Sequence, residues 1–109
     1  MGFMDKVAGL FSKSSREETL LLKGVELAKG KHPEQAIAIY NDLLTSPGTA
    51  ASIKARALFN RALAYSSMKD DERAVADLEA VLKMPGVPDN VESAARSQVI
   101  RVKKRKEVT

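Results

Sequence analysis

Phe3, Val7, Leu10 and Phe11 open the chain at spacings of i, i+4, i+7 and i+8. That is the apolar stripe of an amphipathic helix over residues 2–13, weakened by Gly9. Ser14 and Ser15 interrupt it. Ser15 with Glu18, or Ser14 with Glu17, has the spacing of a capping box that starts the next helix. This second stretch covers about residues 16–29 and stops at Gly30. Pro33, favoured in a first turn, opens a third stretch to about residue 45, which Ser46-Pro47-Gly48 closes. The fourth, about 50–68, is rich in alanine and so strongly helical. Asp70 and Asp71 cap a fifth that reaches about residue 84 and ends at Pro85-Gly86. Pro88-Asp89-Asn90 leads into a last helix to about residue 106, with Val91, Ala94, Ala95, Val99 and Val102 on one face. No alternating strand pattern competes, so the expected fold class is all-α.

Sliding the chain against itself by 38 residues exposes a repeat. Glu34 meets Glu72, Ala36 meets Ala74, Ala38 meets Ala76 and Leu44 meets Leu82. The breakers agree as well, Pro47-Gly48 falling on Pro85-Gly86. In the preceding helices Leu20 meets Leu58, Lys23 meets Arg61 and Gly24 meets Ala62. Each unit is thus a helix, a short turn and a second helix. A single such pair cannot bury its apolar faces alone, so the units should stack.

The residues that recur are Leu20, Gly24, Leu27, Ala36, Tyr40 and Pro47 in the first unit, and Leu58, Ala62, Tyr65, Ala74, Leu78 and Pro85 in the second. This pattern resembles the tetratricopeptide repeat family, most closely along Leu58-Phe59-Asn60-Arg61-Ala62-Leu63-Ala64-Tyr65. The resemblance implies an α-α superhelix of antiparallel helix pairs over residues 16–106. Its repeats would lie at about 17–48 and 55–86, with a capping helix at about 89–106 and residues 1–15 as a separate N-terminal amphipathic segment. The chain departs from the family in its period, 38 rather than about 34, with the extra residues around Thr49 to Lys54. The closing proline also comes one residue early, and leucine replaces tryptophan at the first position of both units.

In such repeats the first helices line a concave groove that takes extended or helical peptides. The resemblance assigns Leu21, Val25, Ala28 and Lys29, then Arg56, Phe59, Asn60, Leu63, Ser66 and Ser67 to that groove. Leu21, Val25, Phe59 and Leu63 would form an apolar strip, either a partner site or further core. Family members that bind chaperones hold a carboxylate with lysines and asparagines. Asn60 matches one of those asparagines, but Leu21 and Val25 stand at the first-helix positions, so an apolar ligand suits this groove better.

Composition narrows the function classes. The chain has 109 residues, enough for one domain, with no Cys, no Trp and a single histidine, His32. Thiolate chemistry is excluded, and the material for a metal site or a histidine relay is poor. The expectation is a protein-binding adaptor or scaffold and not an enzyme, with no cofactor and no metal. His32 reads as an exposed helix cap, and Glu34, Asp70, Asp71 and Glu72 as carboxylates that offset helix dipoles. Up to residue 95 there are 12 basic and 13 acidic side chains; beyond it, six basic and one acidic. The cluster Arg101, Lys103, Lys104, Arg105 and Lys106 suits a helix C-terminus, or an anionic partner or lipid. It lacks interleaved aromatics, which speaks against nucleic acid.

Phe3, Val7, Leu10 and Phe11 either dock on the helical body, of the same chain or of a second copy in a homodimer, or lie on a membrane. Docking is favoured, because an intramolecular contact avoids most of the cost of association. No run approaches the roughly 20 apolar residues of a membrane span, so the expected compartment is the cytoplasm, with the membrane surface as the variant. A peripheral membrane protein, using the N-terminal helix and the basic C-terminus, is the alternative to a peptide-binding module.

Overall fold

The computed structural model of the chain describes residues 14–108, with side chains over 16–105. Its helices are α1 (Ser14–Lys29), α2 (Pro33–Thr45), α3 (Ala51–Ser67), α4 (Asp71–Lys83) and α5 (Asp89–Val108), with no strand among the described residues. The expected amphipathic helix with Phe3, Val7, Leu10 and Phe11 lies outside the described residues. Short connections make α1–α2 and α3–α4 antiparallel hairpins. Each helix packs on the next, and α3 also meets α1 and α5 across one face.

The predicted breakers hold with shifts of one or two residues, except at α1. Ser14 and Ser15 are part of that helix and do not precede it. The expected capping-box partner Glu18 is engaged elsewhere: its carboxylate accepts a hydrogen bond from Arg56 Nη1 at 2.8 Å. At α4 the expectation stands, Asp70 accepting from the Arg73 backbone N–H at 3.2 Å.

The 38-residue repeat is written into the backbone. The α1–α2 turn places Lys31 at φ 69°, and the α3–α4 turn places Lys69 at φ 64°. In both, the residue after it donates back to the first helix, His32 N to Leu27 O at 2.8 Å and Asp70 N to Tyr65 O at 2.9 Å. This is the helix-ending device in which a left-handed residue satisfies the last carbonyls. The second helices end alike too, with Ser46 and Met84 extended and Gly48 and Gly86 at φ 85° and 73°. Only glycine adopts that conformation without strain.

The core has two clusters, one per unit. The first joins Leu21, Ala36, Tyr40, Leu43, Ile53 and Ala57; the second joins Ala55, Ala62, Ala74, Leu78, Val81, Val91 and Ala95. Each unit sets a small residue on its first helix against a large one on its second. In the first unit a Cβ on Gly24 would lie 2.5 Å from Tyr40 Cε1, so the buried ring requires glycine there. The second unit has Ala62 and Leu78 at these positions, a smaller side chain allowing one more carbon opposite.

Helix α5 continues the register on one side only. Val91, Ala95 and Val102 repeat Ile53, Ala57 and Ala64, and all six are buried. On the other side Leu58, Ala62 and Tyr65 become Arg96, Ile100 and Lys103. Ile100 is 62% exposed. This side of α5 is a solvated face, with a branched side chain at the position of Gly24 and Ala62.

Candidate functional site

Helical spacing puts Val25, Ala28 and Lys29 on one face of α1, and Asn60, Leu63, Ala64 and Ser67 on the facing side of α3. Together they line a shallow depression of about 240 Å³. Its floor is apolar, from Val25, Ala28, Leu63 and Ala64. The Lys29 side chain is exposed. Asn60 Nδ2 donates to the Arg56 carbonyl one turn back at 2.8 Å. The amide is thereby fixed, with its oxygen free to accept.

The other expected groove residues are placed differently. Arg56 is half-buried and forms an ion pair with Glu18, joining α3 to α1. Leu21 does not face the groove. It is fully buried among Tyr40, Ile53 and Ala57, because the α1–α3 contact closes over it. Phe59 is half-buried against the second core cluster and lines no depression with Val25 and Leu63. The apolar strip of four is therefore two residues, Val25 and Leu63, flanked by alanines. Helical periodicity assigns a face but cannot say where the neighbouring helix covers it.

A second depression of about 470 Å³ is lined by Ser66, Ser67, Lys69, Asp71 and Arg105, and shares Ser67 with the first. Arg105 Nη2 donates to Asp71 Oδ1 at 2.6 Å and to Ser66 Oγ at 2.8 Å, tying α5 to α3 and α4. Sequence reading missed Lys69, Asp71 and the placement of Arg105 here, since the contacts span 34 and 39 residues. The basic cluster is thereby divided. Lys103 is 3.6 Å from Glu79 and Arg105 is paired, whereas Arg101 and Lys104 are exposed and make no ion pair among the described residues. The Lys106 side chain lies outside the described residues.

Behind the groove, Arg61 fixes the relative positions of α2, α3 and α4. Its Nε and Nη2 each donate to the Asp77 carboxylate at 2.8 Å, and Nη1 donates to Asn41 Oδ1 at 2.7 Å. Asp77 is only 7% exposed, and its hydrogen bonds push the Arg61 guanidinium further above its already high pKa. The Tyr65 ring sits between Arg61 and Arg73, with guanidinium carbons 5.7 and 5.8 Å from its centre. His32 is exposed at the N-cap of α2 and its side chain makes no capping bond. No helix among the described residues is long and apolar enough to cross a membrane.

Comparison with curated proteins and with solved structures gives no significant match. Residues 55–86, which span α3 and α4, match the sequence model of the family described as tetratricopeptide repeat. Repeats of this kind are protein–protein interaction modules. The matched segment, with the equivalent hairpin 38 residues before it, is what the chain has in common with tetratricopeptide repeat proteins.

Proposed function

We propose that the chain is a non-enzymatic binding module that seats an apolar side chain of a peptide or helix between α1 and α3. The observation that carries this reading is the depression itself. Val25, Ala28, Leu63 and Ala64 give it an apolar floor, and the Asn60 amide beside it has an unpartnered oxygen. A mostly apolar hollow with one oriented polar group is the usual make-up of a recognition site. A peptide main chain supplies the N–H that Asn60 Oδ1 can accept, while its side chain fills the hollow. The volume, about 240 Å³, suits one side chain of leucine, methionine or phenylalanine size.

The test is an array of octapeptides with a single central Leu, Met or Phe in a Ser/Gly host, probed with the intact chain. Leu63→Asp should abolish capture while the helical circular dichroism persists. Ile100→Asp, at a residue 62% exposed on α5 that lines neither depression, should leave capture unchanged. Capture that survives Leu63→Asp, or no capture at all, overturns the reading. The alternative, contact with an anionic membrane or acidic partner through the two ends of the chain, keeps from the basic C-terminal cluster Arg101 and Lys104 without an ion pair among the described residues.

A further inference from the structure

The two depressions share Ser67, so they form one track along the C-terminal half of α3. Their chemistry differs. The first is apolar with Lys29 beside it, and the second is polar with Lys69, Arg105 and two serine hydroxyls. Ionised groups along the whole track are Lys29, Lys69 and Arg105 against the single carboxylate of Asp71.

That carboxylate is already engaged. Asp71 and Ser66 together take Arg105 Nη2 and hold the guanidinium in position. The Nε–H and both Nη1–H groups are left without a partner, three of the five donors of the side chain. Lys69 sits in the left-handed turn between α3 and α4, exposed and without an ion pair. The Ser67 hydroxyl donates to the Ala64 carbonyl at 2.7 Å, so two cations with vacant donors and the Ser66 hydroxyl meet in a hollow adjoining the apolar one. A pre-positioned cation binds a carboxylate at lower entropic cost than a free surface side chain.

We infer that the partner is an acidic-apolar peptide, with an aspartate or glutamate side chain next to the apolar residue, lodged against Lys69, Arg105 and the Ser66 hydroxyl. This rests on the reading of the first hollow as a peptide site and adds the charge pattern of its ligand. Anionic lipid surfaces are bound by clusters of about 4–8 cations. Here two of them line a hollow continuous with the apolar site.

The experiment uses the intact chain and the same octapeptide host in three forms, with the central Leu flanked by Glu, by Gln or by Lys. Binding is read by fluorescence anisotropy at low and high salt. Glu-flanked peptides should bind at least tenfold more tightly than Gln-flanked ones at low salt, with the gap narrowing as salt rises. Lys69→Gln should shrink the gap severalfold while leaving the Gln-flanked peptide unaffected. Equal binding of the Glu and Gln forms, both lost in Leu63→Asp, overturns the acidic requirement and leaves the apolar site standing. Absence of binding by all three forms overturns both. Binding of anionic vesicles in preference to every peptide would overturn the assignment to a peptide.

Discussion

The Tyr40 ring fills the space that a side chain at Gly24 would take, and the second unit shows the alternative solution. Alanine is normally better than glycine inside a helix by about 1 kcal/mol. Here Gly24→Ala should instead destabilise by about 1–3 kcal/mol, because the added methyl meets a ring with no room to move. In a Tyr40→Leu background, which copies Ala62 and Leu78, the same change should become neutral or stabilising. Urea unfolding of the four members of this cycle would show the reversal of sign. Tyr40 also carries a buried hydroxyl with no hydrogen-bond partner, and burial pushes its pKa up to about 12. The folded state thus holds the phenol proton more tightly than the unfolded chain does, where Tyr ionises near 10. The associated stability is intact below pH 10 and is lost as pH rises from 10 towards 12. Tyr40→Phe should remove that alkaline decline and cost nothing at pH 7, as unfolding curves at pH 7, 10 and 11.5 would reveal. The small residue at position 24 and the aromatic at 40 were legible from the repeat. That Leu21 is core and Phe59 half-core was not, because residues one helical turn apart share a face whether or not another helix covers it.

Each hairpin is closed by the same two joints, so the elements should respond to substitution in register. Gly48→Ala and Gly86→Ala should each cost about 1–2 kcal/mol from backbone strain alone, since no atom lies within 4 Å of either added Cβ. Lys31→Gly, at φ 69°, should move stability the other way or leave it unchanged, as strain relief offsets the greater freedom of glycine in the unfolded chain. Thermal unfolding of the three variants would establish both the sign and the parity of the two glycines. These joints were readable because glycine, proline and the residues around them act locally. The start of α1 was misread for the opposite reason. The Ser14–Glu17 and Ser15–Glu18 spacing fits a local cap, but Glu18 finds Arg56 38 residues away, and local spacing carries no information about that encounter.

Across the whole molecule a few side chains tie the units to one another, Arg56 to Glu18, Arg61 to Asn41 and Arg105 to Asp71. Arg61 touches α2 and α4 while standing on α3. Arg61→Ala leaves Asp77 almost buried with its strongest partners gone. Breaking a fully buried pair costs about 3–5 kcal/mol, and the partial exposure of Arg61 lowers the expectation to about 2–3 kcal/mol. Asp77→Asn, which keeps hydrogen-bonding capacity, should cost less, and denaturant titration would rank the two. Neither this bridge nor the Arg105–Asp71 contact could be read from the sequence, since both join residues on different elements without any periodic relation. The repeat itself could be, and it is what aligns α1 with α3 and so places Val25 opposite Leu63.

The most direct test of the binding account is amide chemical-shift mapping of the isotope-labelled chain with the tightest peptide of the array. The account predicts perturbations concentrated at Val25, Ala28, Lys29, Asn60, Leu63 and Ser67. Shifts centred on the outer faces of α2 and α4, or around Leu22 and Ile100, with the α1–α3 hollow unmoved, would contradict it.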